Sequence, residues 1–298
     1  MSRLSTDFFL DDDIDVQPVV WSTSTKPRFS YGFLDGLIDI LITAIILGSM
    51  YIVWDTGWTT LEGRAQNKTN QSVLDDLFAA APPAGTTPQP KGAKADLSVD
   101  LSQLRDGEAF ARVLIPRLGD NWQFAVVKGV GNDSLLGGLG HYEQSQLPGE
   151  YGNFAIAGHR DGRGAPFFHL DDVTTCDAIV VETATEWLTY RVLPRGEDRP
   201  RVDQAVDCMP GDIAATMASE HGEYNTVEGQ YITTPSDISV IAPRPGDVYS
   251  KAEEQPESLL TITTCNPVYS NVERLIVTAV LTKREGKTEG FVPEALQA

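Results

Sequence analysis

The chain is poor in the residues that most often announce a chemistry. Its 298 residues include three cysteines and four histidines. No Cys-x-x-Cys or His-Glu-x-x-His occurs, and Cys265 has no second soft ligand nearby in sequence, so the spacing of a zinc site is missing. The glycine-rich stretches Gly129-Val130-Gly131 and Gly137-Gly138-Leu139-Gly140 lack the strand-to-helix setting and the lysine of a phosphate loop, and they read as turns. No cofactor or metal is therefore expected. Basic residues are scarce too: 23 Lys and Arg stand against 42 Asp and Glu, for a formal net charge of −19. A surface of that sign is repelled by nucleic acid and by anionic headgroups, which argues against either as the main partner.

Long apolar runs are confined to one place, about Leu34 to Trp58. Ile40 to Trp54 carries no charge, but Asp35 and Asp39 interrupt the run before it, so the uncharged part is short against the roughly 20 residues a bilayer needs. Gly36 to Trp58 suffices if Asp39 sits near the interface and Trp54 and Trp58 anchor the far side. A signal peptide is the rival reading. It is disfavoured because the run begins about thirty residues in and the small residues Ala79-Ala80-Ala81 lie too far downstream for a cleavage site. A buried core helix is a third reading. Lys26 and Arg28 before the run balance Arg64 and Lys68 after it, so charge alone leaves the orientation open. The stretch ahead of it, residues 1–33 with Asp11-Asp12-Asp13 and Asp15, reads as a solvated, disordered acidic tail.

Beyond the apolar run the character changes. Arg64 to Phe78 fits a short polar helix, and Ala79 to Gln89-Pro90 is a Pro/Ala/Thr linker without apolar periodicity. Short alternating segments follow at Ala111–Ile115, Phe124–Val127, Phe154–Ala157, Ala178–Glu182, Glu186–Leu193, Tyr231–Thr233, Ser239–Ile241, Leu259–Cys265 and Arg274–Leu281. Strands at this spacing in a chain that is 41% hydrophobic specify a packed all-β barrel or sandwich, with helices confined to the connections.

Two of these strands end in reactive groups. Leu260-Thr261-Ile262-Thr263-Thr264-Cys265-Asn266-Pro267 carries a thiol to a sheet rim, and Arg274-Leu275-Ile276-Val277 brings a cation back beside it. Asn153-Phe154-Ala155-Ile156-Ala157-Gly158-His159-Arg160 ends in a histidine, the acid/base that a cysteine nucleophile requires. An isolated strand-end cysteine is more often a small buried hydrophobe. The polar Thr-Thr before Cys265 and the Asn-Pro after it do not read as core. Alone, His159 would be a structural histidine at a turn and Arg274 a surface ion-pair partner; in company with Cys265 they read as acid/base and oxyanion holder. His141 belongs to a glycine-rich loop and could shape a groove. His169 sits in an aromatic turn, and His221 in a polar loop. Cys176 and Cys208 are either a disulfide or two buried thiols, and spacing does not decide between them.

The order Ala-Ile-Ala-Gly-His-Arg, then Thr-Thr-Cys-Asn-Pro, then Arg-Leu-Ile-Val resembles the sortases, cysteine transpeptidases of Gram-positive surfaces. It is most like their class E in high-GC bacteria. The resemblance covers about residues 107–283. It implies an eight-stranded closed β-barrel with short helices in the connections, preceded by one transmembrane helix. The corresponding division is a cytoplasmic tail 1–33, a signal anchor 34–58, an extracellular linker 59–106, a catalytic domain 107–285 and a C-terminal tail 286–298. It also implies catalysis by Cys265, His159 and Arg274, with the Cys265 thiolate held near Arg274 and a charged His159. The implied partners are surface proteins bearing an LAxTG- or LPxTG-type sorting signal, cut between Thr and Gly, and a peptidoglycan-precursor or pilin amine as acceptor. The bilayer itself would be met through residues 34–58. No Asp-Pro-aromatic lid occurs between Thr59 and Phe110, which disfavours a pilus-polymerising, class C-like enzyme. A hydrolytic surface cysteine peptidase would use the same residues, and a non-catalytic binding barrel would have lost them.

Overall fold

The computed structural model describes residues 32–81, 90–195 and 200–297, without the side chains of Asp55 and Thr56. Helix α1 runs from Phe33 to Ala80. Among the described residues nine strands and three short α-helices follow: β1 (Ala109–Leu114), β2 (Gln123–Lys128), α2 (Asn132–Leu136), β3 (Leu139–His141), β4 (Gly152–Ala157), β5 (Ala178–Glu182), β6 (Glu186–Val192), α3 (Arg201–Val206), α4 (Gly211–Ala218), β7 (Gln230–Thr233), β8 (Ser258–Asn266) and β9 (Glu273–Gly286). The acidic tail, apart from Gly32 and Phe33, lies outside the described residues.

The chain divides into two units, Met1–Gly48 and Ser49–Ala298. In the first, the described helical residues expose Leu41, Ile45 and Leu47. Among the described residues, α1 is the one helix long and apolar enough to cross a membrane. The apolar run expected at 34–58 and the polar helix expected at 64–78 belong to one unbroken helix, with no proline between them.

In the second unit, strand order β6-β5-β1-β2-β3-β4-β8-β9 closes through a β6–β9 pairing into an eight-stranded barrel, and β7 adds to β9 as a ninth strand. Closure removes free edges from the ring. Alternation sorts the side chains. Phe154 and Ile156 of β4, Leu260 and Ile262 of β8, and Leu275 and Val277 of β9 enter the barrel core. Each fully buried side chain of this kind contributes roughly 1.5–3 kcal/mol. Their neighbours point outward. Leu259 and Val280 lie in a second cluster with Ile213 and Met217 of α4, which covers that part of the outer face. A disulfide joins Cys176, ahead of β5, to Cys208, behind α3, with Cα atoms 5.7 Å apart.

Two segments depart from the sequence reading. Ser239–Ile241 is not a strand but part of a 3-10 turn, Ile238–Ile241, whose start is fixed by Asp237 accepting from the Ser239 amide at 3.1 Å. An aspartate two residues ahead of a free amide favours such a local turn over a ladder. Conversely, the glycine-rich stretch read as a turn runs into β3, parallel to β2 and antiparallel to β4. Three residues are too few to show a period of two. His141, expected in a loop, is therefore on a strand and buried, with its ring 5.7 Å from Phe110 and 5.5 Å from Phe154.

Strand β9 also runs past Leu281 to Gly286. Its polar extension is held by β6 and by an ion pair of Arg284 with Glu186 at 2.7 Å. Residues 59–80, assigned from sequence to the linker, continue α1 and bury Leu74 beside Ala125 and Val127 of β2.

Candidate active site

Strands β8 and β9 are antiparallel, and their register sets Cys265 directly opposite Arg274. Directly paired residues project from the same face, with Cβ atoms about 4.5–5.5 Å apart. Because Leu260 and Ile262 point inward, Cys265 belongs to the outward row with Thr261 and Thr263. On its other side Arg274 is paired with Thr233 of β7. Its Nη1 donates to the carbonyls of Asn271 at 3.0 Å and Glu273 at 2.8 Å, which steadies the guanidinium beside the strand end.

Strand β4 runs parallel to β8 with Ala157 against Thr263, so both strands leave the barrel at the same rim. The Gly158 amide donates to the Thr263 carbonyl at 3.2 Å, and the Thr264 hydroxyl returns a bond to the Gly158 carbonyl at 2.8 Å. His159 follows at once. It stands two residues past Ala157, as Cys265 stands two past Thr263, which brings imidazole, thiol and guanidinium to one end of the outer face. Gly158 is required there: a Cβ would lie 2.5 Å from the Phe167 ring.

Cys265 is half-buried and is the free cysteine of the three. His159 is half-buried as well, and its Nε2 has no hydrogen-bond partner among the described residues. Burial is the main cause holding its pKa below the ordinary histidine value. The Arg163 charge adds to this, and Asp161 opposes it. A lowered pKa favours the neutral form of the ring. A neutral ring is in the form that can accept the thiol proton.

Several supporting groups escaped the sequence reading. Arg160, 4% exposed, donates from Nη1 to Asn266 Oδ1 at 2.5 Å and pairs through Nη2 with Asp171 at 2.9 Å. Asn266 Nδ2 in turn donates to Glu273 at 2.8 Å. This chain ties the residue after His159 to those flanking Cys265 and Arg274. Its one sequence signal was the Arg of the Gly-His-Arg string. Tyr142 and Thr263 share a hydroxyl–hydroxyl bond of 2.9 Å two residues from the cysteine, which nothing in the local pattern indicates. The Tyr269 amide donates to Asp161 at 2.7 Å, and Trp122 Nε1 donates to the Pro166 carbonyl at 3.0 Å, so the loop after His159 is held from two sides.

His169 is exposed and lies 3.5 Å from Asp172, and His221 is exposed. His141 is occupied structurally, its Nε2 facing the Gln146 carbonyl at 3.1 Å and the Ser145 hydroxyl at 3.2 Å. A cleft of about 590 Å³ opens beside the His159 loop, with Arg64, Trp122, Phe168 and Tyr269 in its wall, but the cysteine, His159 and Arg274 do not line it. Among the described residues no cluster of three or more His, Cys, Asp or Glu could hold a metal ion.

A strand-end thiol thus faces an arginine across an antiparallel pair, with a histidine two residues past the end of the adjacent parallel strand. Residues 113–282, more than half of the chain, match the Sortase domain family. The chain belongs to the sortase family. It is 25% identical over 265 residues to Sortase SrtE1 of Streptomyces coelicolor, an overlap of 87% of this chain and 59% of that protein. To Sortase SrtE2 of the same organism it is 28% identical over 262 residues, covering 85% and 83%. Among solved structures it is similar to the SrtF sortase from Corynebacterium diphtheriae, with a TM-score of 0.63 and 44% identity over 69% of this chain and 100% of that one. The class E likeness of the motifs agrees with the two Streptomyces relatives, and the eight-stranded closed barrel agrees with the sortase fold.

Proposed function

We propose that this sortase is a membrane-anchored transpeptidase that cleaves an LAxTG- or LPxTG-type sorting signal between Thr and Gly and joins the acyl product to an amine of the cell wall. The reading rests on one observation above all, the cross-strand pairing of Cys265 with Arg274 beside β4, whose end lies two residues before His159. In the proposed cycle, His159 takes the Cys265 proton as the thiolate attacks the threonine carbonyl. Arg274 holds the carbonyl oxygen as negative charge develops on it. The C–N bond breaks, the imidazolium returns its proton to the departing glycine amine, and a thioester remains on Cys265. An acceptor amine then attacks the thioester, His159 removes its proton, and an amide forms as the thiol is restored.

The proposed organisation keeps residues 1–33 in the cytoplasm, 34–58 in the bilayer and the barrel outside, with 107–285 as catalytic domain. The exposed apolar side chains Leu41, Ile45 and Leu47 support the anchor. Fractionation tests it: the full chain sediments with membranes, and a chain starting at Thr59 is soluble. The activity is tested by incubating the protein with LAxTG and LPxTG peptides and a small primary amine. The reading expects the ligated peptide by mass spectrometry; free threonine acid at the same rate with and without amine would make the protein a hydrolytic peptidase instead.

A further inference from the structure

The half of α1 that follows the apolar run touches the loop that carries His159. At Gly63 the two backbones meet: an added Cβ would lie 2.4 Å from the carbonyl carbon of Arg163 and 2.7 Å from the amide nitrogen of Gly164. One turn earlier, Thr59 Oγ1 accepts a hydrogen bond from the Arg163 amide at 3.3 Å. The same helix face continues along the barrel. Asn67 Oδ1 accepts from the Ala125 amide at 3.0 Å, Asn70 Nδ2 donates to the Gly137 carbonyl at 2.8 Å, and Leu74 is fully buried. Positions 59, 63, 67, 70 and 74 recur at helical spacing, so one stripe of α1 makes all five contacts.

The loop needs such a support. Gly162, Arg163, Gly164 and Ala165 all have positive φ, at 56°, 46°, 88° and 43°. For arginine and alanine this left-handed conformation is unfavourable, and it persists where surrounding structure holds it. Arg163 is also a charge that bears on the His159 imidazole.

We propose that α1 from Thr59 onward is a positioning element for His159, with Gly63 as the residue that seats the Arg163–Gly164 backbone and so fixes the loop bearing the imidazole. The segment ahead of the barrel is then part of the catalytic apparatus and not a passive spacer. The inference rests on His159 being the acid/base of the proposed reaction.

Two substitutions of identical chemistry on one helix test it. Gly63→Ala introduces the clash, whereas a Cβ at Gly57 meets nothing within 4 Å. Both changes favour the helix itself. In the full chain in detergent micelles, Gly57→Ala should match the parent. Gly63→Ala should lower kcat by about tenfold or more, the scale of a small misplacement of a catalytic group, with KM little changed. The titration midpoint of His159, followed by NMR with labelled histidine, should rise in Gly63→Ala as the loop opens. Asp161 and Arg163 on the loop, Cys265, Arg274 and Arg64 are chemically unaltered in both variants, so a midpoint shift reports geometry. Thr59→Val removes the acceptor without the clash and should move the midpoint the same way by less, which covers a Gly63→Ala protein that fails to fold. A Gly63→Ala protein with the parent's kcat and His159 midpoint overturns the proposal, as does an equal shift in Gly57→Ala. Absence of turnover in the parent, with the midpoint moving as expected, would count against the catalytic reading alone.

Discussion

The two ends of the β8–β9 pair share a face and share little else. At one end Leu259 pairs with Val280; both point outward, both are fully buried, and the α3–α4 layer covers them. At the other end Cys265 pairs with Arg274 on the same outer face, and both are only half-buried. Covering the first end turns outward residues into a second core, stapled by Cys176–Cys208. Leaving the second open places a thiol, a guanidinium and an imidazole where a peptide can reach them. One hydrogen-bonded ladder thus carries stability at one end and, in the proposed reaction, chemistry at the other.

Substitutions should separate the two ends. Cys265→Ala should abolish cleavage and transfer while leaving the melting temperature near the parent's, because in the proposed reaction the thiol carries the covalent step, and it packs in no core cluster among the described residues. Turnover retained in a pure preparation would contradict that division. Arg274→Lys keeps the charge and loses the planar fork, and transfer should fall by about 100-fold, the scale of a lost oxyanion donor. Alkylation of Cys265 by iodoacetamide should continue near the parent rate; a parallel collapse of both rates would mean that Arg274 acts on the thiol. At the covered end, replacing Cys176 and Cys208 by Ser should cost about 2–4 kcal/mol in chemical denaturation, as expected for a bridge spanning 32 residues, with transfer nearly unchanged below the melting temperature.

The smallest expected effect is on pH dependence. Burial lowers the pKa of both His141 and His159, so in acid the unfolded chain takes up protons that the folded chain refuses. Stability should therefore be fully present above the ordinary histidine value of about 6.5 and fall as pH drops below it. His141→Gln should flatten that slope in urea titrations at several pH values, and an unchanged slope would show that His141 contributes nothing to it.

What could be read from the sequence follows the same division. The open end was legible because its strands alternate cleanly and stop at reactive residues, so Cys265, His159 and Arg274 stood out without a structure. The covered end was not. Pairing of Cys176 with Cys208 depends on a distance that spacing does not carry, and β3 is too short to show a period. The α1 stripe of Thr59, Gly63, Asn67 and Asn70 is polar, so it reads as a solvated helix face although it touches the barrel. Arg160 was visible as a letter in a motif, but its bonds to Asn266 and Asp171 connect residues 106 and 11 positions away.

The most direct test of this division is to catch the acyl group on the thiol. Brief exposure of the protein to an LAxTG peptide without an acceptor amine, followed by acid quench and intact mass measurement, should show an adduct equal to the peptide up to its threonine. Proteolysis should map it to the fragment containing Cys265, and hydroxylamine should release it. Product formation without any such adduct, or an adduct mapped elsewhere, would contradict the assignment of the chemistry to the open end of β8 and β9.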